Sequence, residues 1–178
     1  FTIDEIEELL IKLDLTQFKN INSDGVLTFF DNYGLDNCSQ FEKLFRIMIK
    51  KKTNNENITF HDLYLKTNKN LIVVATNLNR KQSTYFSYKN TPNINVIDAI
   101  IASISIPIFY YPKKIDNELY LDGAITNNFP INFFKDSKEE TIGALVMTNN
   151  KYEDSIKDIK NDKIRNSLLE LTKLFKQR

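Results

Sequence analysis

The sequence predicts an α/β fold with three layers, α/β/α, in which helices cover both faces of a mainly parallel sheet. Helical and strand patterns alternate through the middle of the chain, as expected when helices connect parallel strands. Leu71–Ala75 is a continuous apolar run, rich in β-branched residues, that suits a strand buried on both faces. With 178 residues, the chain is long enough for one domain with a substantial core.

The chain begins with a predicted amphipathic helix. Thr2 and Glu5 have the spacing of a capping box, in which each side chain accepts a hydrogen bond from the backbone of the other residue. Apolar residues then recur at helical intervals from Ile3 to Leu13. Residues 14–37 follow without a regular pattern, so no element is predicted there.

Two more helices are predicted before the first strand. Ser39 and Glu42 repeat the capping-box spacing in front of an apolar stripe, which makes Ser39 the expected cap. Thr59 is expected to cap a short helix that includes Leu63.

Strand and helix patterns interleave in the second half. Val96–Ser105 has helical spacing and ends before Pro107, because proline disfavours helix in the residue before it. A short helical turn is expected at 130–134, and amphipathic helices from Asp154 onward. Three segments have strand patterns: Thr84–Tyr88, Leu119–Leu121 and Thr141–Met147. We expect one domain over residues 1–150, with 151–178 as its amphipathic C-terminal helical segment.

Composition excludes several classes of partner. The 24 Lys and Arg residues balance 23 Asp and Glu residues, so no net field favours nucleic acid. Cys38 is the only cysteine, which excludes an intrachain disulfide and suits a reducing compartment. No apolar run is long enough to span a bilayer, and no signal peptide pattern is present. We expect a cytoplasmic protein with peripheral membrane contact at most.

One carboxylate lies where a reactive acid would be expected. The apolar segment Leu119–Leu121 leads directly into Asp122, and Gly123 follows in a predicted turn. A strand fixes the position of an acid at its end, while glycine keeps the adjacent space clear of a side chain. This arrangement suits a catalytic base, although an Asp-Gly pair also occurs as a simple turn.

Two segments together resemble the C-terminal half of patatin-like phospholipases. The first is Ala102-Ser-Ile-Ser-Ile-Pro107, and the second is Leu121-Asp-Gly-Ala124 followed by Asn127 and Pro130. Their order and spacing both match, and the resemblance extends from about Phe1 to Met147. It implies a patatin-like α/β domain that hydrolyses phospholipids or related lipid esters.

The resemblance also implies a Ser-Asp catalytic dyad with no cofactor and no metal. In that family a serine in a Gly-x-Ser-x-Gly turn attacks the ester, and the aspartate of an Asp-Gly-Gly or Asp-Gly-Ala motif activates it. The matching motif here is Asp122, Gly123 and Ala124, with Asp122 as general base. A serine hydroxyl needs such a base because it is too weakly acidic to attack unaided at neutral pH.

The sequence departs from the family pattern in one respect. Its four glycines, at positions 25, 34, 123 and 143, include no Gly-x-Ser-x-Gly, and the glycine-rich oxyanion loop is also absent. The chain starts on Phe1 rather than Met, so we expect a piece truncated at the N-terminus, with the serine supplied from upstream and this chain inactive alone. The alternative is a catalytically inactive patatin-like module that binds lipid or protein.

Other polar residues have simpler explanations. Ser103 and Ser105, at a predicted helix end, are expected to bond the backbone rather than act as nucleophiles. Asp98 is expected to be solvated or paired, and His61 to lie on the surface at a helix start. Asn127 and Asn128 are candidates for orienting the turn after Asp122.

Two groups of side chains allow more than one interpretation. Phe109, Tyr110 and Tyr111 could pack in the core, line an acyl groove or contact a membrane interface, and core packing is favoured. Asp116 and Glu118 lie near Asp122 in the sequence but lack the spacing of a calcium-binding loop, so no metal site is predicted.

Overall fold

The computed structural model describes residues 2–13, 29–134 and 140–145. The helices predicted from Asp154 onward lie outside these residues. The chain forms two compact units, Phe1–Asn128 and Phe129–Arg178, and each is described by itself. The predicted division at residue 150 stays a prediction.

The first unit contains the helices and strands that surround Asp122. Its described helices are α1 (Ile3–Lys12), α2 (Phe29–Asn32), α3 (Ser39–Thr53), α4 (Phe60–Thr67), α5 (Val96–Ile104) and α6 (Ala124–Asn127). Its described strands are β1 (Gly34–Asp36), β2 (Val73–Asn77), β3 (Gln82–Phe86), β4 (Ile108–Tyr110), β5 (Lys113–Ile115) and β6 (Glu118–Asp122).

The strands form two sheets, and the predicted α/β class is confirmed. β1 and β4 form a parallel pair, while the larger sheet has the order β3-β2-β6-β5 and is antiparallel throughout. The predicted parallel pairing is therefore present in the smaller sheet. The larger sheet differs in part because two of its pairs, β2–β3 and β5–β6, are hairpins joined by short turns. Asp116 and Asn117, for example, connect β5 to β6 with φ values of 52° and 77°, as in a two-residue hairpin turn.

Helices lie on both faces of the four-stranded sheet. α5 packs against β2, β5 and β6, and its apolar side chains share a core with Ala75 and Tyr120. Thr76, the next residue along β2, faces the opposite side, because side chains alternate along a strand. α6 contacts β2 and β3 on that side, through hydrogen bonds of Thr126 with Thr76 and Ser83. The members of the main core cluster are Ile58, Phe60, Ala75, Phe86, Val96, Ala99, Ala102, Ile115 and Tyr120.

Two of the three predicted helix caps are confirmed. Thr2 accepts a hydrogen bond from the Glu5 backbone, and the Glu5 carboxylate accepts one from the Thr2 backbone, which completes the capping box. The Thr59 hydroxyl accepts from the backbone N–H of Asp62 at the start of α4.

The predicted cap at Ser39 is wrong by one residue. The cap of α3 is Cys38, whose φ is 60° and whose side chain makes no capping hydrogen bond. The two preceding residues bond the amides at the helix start: Asp36 Oδ1 accepts from Cys38 N at 2.8 Å, and Asn37 Oδ1 accepts from Ser39 N at 3.0 Å. These bonds satisfy the backbone N–H groups of Cys38 and Ser39 at the start of the helix.

The second unit differs from the sequence prediction in its strand. Pro130–Phe134 forms a short 3₁₀ helix, close to the predicted helical turn. Thr141–Leu145, the described part of the predicted strand Thr141–Met147, has no regular structure, and Ile142 is 97% exposed. A strand needs a neighbour for its backbone hydrogen bonds, and the described part of this unit contains no strand that could supply them.

Candidate active site

Asp122 lies at the C-terminal end of β6, opposite Ala75 of β2. Its N–H donates to the carbonyl of Ser105 at 2.9 Å, and the N–H of Gly123 donates to the carbonyl of Ser103 at 3.4 Å. Both acceptors are at the C-terminal end of α5. The two sequence segments that carry the family resemblance are therefore bonded directly to each other, backbone to backbone.

The Asp122 carboxylate is partly buried and bonded to the turn that follows it. Its Oδ1 accepts a hydrogen bond from the backbone N–H of Ala124 at 2.8 Å. Burial raises the pKa of Asp122 above its usual value, and the hydrogen bond from Ala124 opposes that rise. A carboxylate with a raised pKa is a stronger base, because it binds a proton more readily.

Gly123 is required by a close approach of the main chain. Its φ and ψ, −63° and −27°, are values that any residue can adopt. A Cβ at this position would lie 2.3 Å from the carbonyl oxygen of Val74 in β2. The glycine therefore allows the chain to pass close to β2 directly after Asp122.

Three hydroxyl groups connect the Asp122 backbone to the far face of the sheet. Thr76 Oγ1 donates to the Asp122 carbonyl oxygen at 2.8 Å and lies 2.9 Å from Thr126 Oγ1. Since the Thr76 hydrogen is used on the carbonyl, Thr126 donates to Thr76. Ser83 Oγ in turn donates to Thr126 Oγ1 at 2.8 Å. Sequence reasoning missed all three residues, because their proximity depends on the strand register.

Asn127 fixes α6 to the sheet. Its Nδ2 donates to the hydroxyl of Tyr85 in β3 at 2.7 Å, and its backbone N–H donates to the Gly123 carbonyl at 2.9 Å. These bonds restrain the turn after Asp122 and agree with the predicted orienting function of Asn127. Asn128, the other predicted candidate, is the exposed C-cap residue of the same helix.

The remaining catalytic candidates have structural roles in the described residues. Ser105 is completely buried, and its hydroxyl donates to the Ile101 carbonyl at 2.7 Å, as predicted for a helix end. Asp98 forms an ion pair with Lys113 at 2.8 Å. His61 lies in the first turn of α4 with 53% of its side chain exposed.

Glu118 is engaged in a hydrogen-bonded cluster with protein side chains. Its carboxylate accepts from Arg80 at 2.7 Å, from Asn77 at 2.8 Å and from Tyr120 at 3.0 Å. The Arg80 hydrogen bond is the largest cause of the lowered pKa of Glu118. Within residues 2–13, 29–134 and 140–145, no three His, Cys, Asp or Glu side chains lie close enough together to hold a metal ion.

The three aromatic residues after α5 have different environments. Tyr110 packs edge-on against Phe41 with ring centroids 6.1 Å apart, and the Tyr111 hydroxyl accepts from Asn32 at 3.3 Å. Phe109 remains 37% exposed. Packing thus accounts for the two tyrosines and leaves Phe109 open to solvent.

A serine partner for Asp122 is not found in the part of the chain that the structure describes. There, the Asp122 carboxylate accepts a hydrogen bond from a backbone N–H, and no serine hydroxyl donates to it. In the same part of the chain, no helix is long and apolar enough to cross a membrane.

Comparison of the sequence with known proteins identifies a family and two viral relatives. The model of a family described as patatin-like phospholipase matches residues 2–135. An uncharacterized protein of Acanthamoeba polyphaga mimivirus is 32% identical over 154 residues, which are 86% of this chain and 50% of that protein. A probable lipid hydrolase of Invertebrate iridescent virus 6 is 35% identical over 98 residues, 55% of this chain and 34% of that protein. The matched part of the chain thus spans half or less of the length of these two curated relatives.

Proposed function

Because this chain belongs to the patatin-like phospholipase family, we propose that it forms part of an enzyme that hydrolyses the acyl esters of lipids. The observation that carries the proposal is the position of Asp122, a partly buried carboxylate at a strand end whose backbone is bonded to the end of α5. The similarity to a probable viral lipid hydrolase supports the same reaction class.

In the proposed mechanism, Asp122 is the general base of a Ser-Asp dyad. It accepts the serine proton as the serine oxygen attacks the ester carbonyl, and the resulting tetrahedral intermediate expels the alcohol, which takes up that proton. Water then attacks the acyl-enzyme as Asp122 accepts a proton from it, and that proton passes to the serine oxygen when the fatty acid is released. The raised pKa of Asp122 favours its acceptance of a proton from the serine and from water.

The serine of this proposal lies outside residues 1–178. Among the described residues, Ser105 is fully buried with its hydroxyl on a backbone carbonyl, which prevents it from reaching a substrate. The proposed nucleophile precedes Phe1 in a Gly-x-Ser-x-Gly turn. In this proposal, residues 1–150 form part of the acyl hydrolase domain, and 151–178 are an amphipathic helical segment of the same domain.

The proposed substrates are phospholipids or related lipid esters, reached by peripheral contact with a membrane from the cytoplasm. Ile106 and Phe109 follow the end of α5 that bonds to Asp122, and they are 47% and 37% exposed. Apolar side chains of this kind can contact acyl chains or the membrane interface.

The test is an ester hydrolysis assay on the gene product read from its start codon. Short-chain p-nitrophenyl esters and phospholipid vesicles are the substrates, and the variants are Asp122→Asn and Asp122→Ala. Loss of a general base is expected to lower kcat by about 10²- to 10⁴-fold. Asp116→Asn is the matched control, because Asn is also favoured at its positive φ of 52° in the same hairpin.

Each outcome distinguishes the proposed enzyme from the alternative module. Hydrolysis that depends on Asp122 but not on Asp116 supports the enzyme. Full activity in Asp122→Ala refutes the role of this acid. Vesicle binding without hydrolysis, in a gene product that has no Gly-x-Ser-x-Gly, would identify an inactive lipid-binding relative instead.

A further inference from the structure

We infer that Thr76 is a positioning residue for Asp122, acting on the main chain of the proposed base rather than on the substrate. This inference rests on the proposed function. Thr76 is 4% exposed, and its hydroxyl donates to the Asp122 carbonyl oxygen at 2.8 Å. It therefore links β2, an inner strand of the sheet, to Asp122, the proposed base.

The position of one peptide plane explains why this bond matters. The Asp122 carbonyl and the Gly123 N–H belong to the same rigid peptide unit. The Gly123 N–H makes a long bond of 3.4 Å to Ser103, whereas the carbonyl receives the shorter bond from Thr76. The Thr76 hydroxyl thus adds a short side-chain bond to a plane that is otherwise held by the backbone contacts of Asp122 with β2 and of Asp122 and Gly123 with the end of α5.

A tilt of that plane would reach the carboxylate through the next residue. Ala124 N–H, one peptide further on, donates to Asp122 Oδ1 at 2.8 Å. The carboxylate and its own hydrogen-bond donor thus lie on either side of the plane that Thr76 restrains. A change in its tilt moves the two relative to each other and displaces the carboxylate.

Thr126 and Ser83 orient the Thr76 hydroxyl. Thr126 donates to Thr76 and accepts from Ser83, so each hydroxyl has a fixed direction in the series of hydrogen bonds that ends at the Asp122 carbonyl. Since Thr76 and Ser83 are paired residues of β2 and β3, the sheet register brings them together beneath α6. Replacing Thr76 with valine removes the donor to Asp122 and the acceptor for Thr126 while keeping the shape of the side chain.

The kinetic test compares Thr76→Val, Thr76→Ser and a control, Thr67→Val, in the full gene product. The Thr67 hydroxyl also donates to a backbone carbonyl, that of Leu63 at 2.7 Å, but it lies on α4. We expect Thr76→Val to lower kcat per titrated active site by about 10- to 100-fold with little change in KM, because small misplacements of catalytic groups have effects of this size. Thr76→Ser restores the donor and should recover most of the activity.

A purely structural role would lower the fraction of folded enzyme and leave kcat per titrated site unchanged. Equal kcat values for Thr76→Val and Thr67→Val, in an enzyme that needs Asp122, would overturn the inference and leave the proposed function intact. An absence of Asp122-dependent activity would refute the proposed function itself.

Nuclear magnetic resonance tests the positioning independently of catalysis. Ionisation of Asp122 should shift the amide resonance of Ala124, because this N–H donates to the carboxylate. The pH-dependent shift is expected in wild type, Thr76→Ser and Thr67→Val, and a reduced shift in Thr76→Val. A shift of unchanged size in Thr76→Val would contradict the inference, whether or not the protein hydrolyses esters.

Discussion

Adding a single methyl group at Gly123 should disturb the candidate site more than any exposed substitution nearby. The Cβ of a Gly123→Ala variant would lie 2.3 Å from the Val74 carbonyl oxygen, whereas ordinary contact begins at 3.4 Å. The two groups must therefore separate by about 1.1 Å. β2 has hydrogen-bonded neighbours on both sides, so the shift falls mainly on Gly123 and on Asp122 before it.

This displacement predicts two measurable losses. Overpacking of this size costs about 1–3 kcal/mol in the free energy of unfolding. A shift of about 1 Å in a catalytic group lowers kcat by about 10²-fold. Urea denaturation followed by circular dichroism measures the first loss, and ester hydrolysis by the full gene product measures the second.

The control for the stability measurement is Ala124→Ser, which also adds one heavy atom but at an exposed position. It should change the free energy of unfolding by less than about 0.5 kcal/mol. Wild-type stability and activity in Gly123→Ala would refute the reasoning, since they would show that β2 and the turn separate without cost.

Three further predictions concern charged and reactive groups. Asp122→Asn should be more stable than wild type at neutral pH in urea denaturation. Burial raises the pKa of Asp122, so wild type loses stability as the pH rises from the unfolded-state pKa through the folded-state pKa, and the difference between the two proteins should vanish below that range. Burial, together with the nearby charge of Asp36, raises the pKa of Cys38 to about 12. The Cys38 thiol should therefore react with Ellman's reagent only as fast as the protein unfolds, and rapid reaction of the folded protein would contradict this. Lys113→Met removes ion pairs to Glu42 at 3.4 Å and Asp98 at 2.8 Å and should lower the free energy of unfolding, measured by urea denaturation, by about 1 kcal/mol. Lys114→Met, on the exposed side of the same strand, should change it little. Equal effects of the two substitutions would show that the ion pairs contribute nothing.

Local sequence patterns predicted most of the longer elements. The capping box at Thr2, the cap at Thr59 and the helix Val96–Ile104 depend on residues within a few positions of each other, and the structure confirms them. Position 38 shows the limit of this reasoning, because the helix starts directly after a short strand that was not predicted, and the side chains of Asp36 and Asn37 bond its first amides.

The short strands could not be predicted, because three residues are too few to show a period of two. β1, β4 and β5 each contain three residues, and β1 and β4 pair with each other across about 70 residues of sequence. Thr141–Leu145 shows the opposite case, in which a strand-like pattern lacks a neighbouring strand among the described residues. Strand formation depends on a partner that a local pattern does not reveal.

In the candidate site, the residues themselves could be predicted from the sequence, but their contacts could not. Asp122 and Gly123 were predicted from their own segment and from the family resemblance. The contacts of Asp122 with Thr76 and Ser105, and of Gly123 with Val74, depend on the register of β2 against β6 and on the end of α5. Such contacts join residues far apart in the chain, so only the folded structure reveals them.

Covalent labelling with a fluorophosphonate tests the central claim most directly, because this reagent reacts with a serine that a neighbouring base has activated. The account predicts one label per molecule of the full gene product, on a serine upstream of Phe1, with the rate of labelling reduced by about 10²-fold or more in Asp122→Asn. A label on a serine within residues 1–178, or an unchanged rate in Asp122→Asn, would contradict the assignment of Asp122 as the general base.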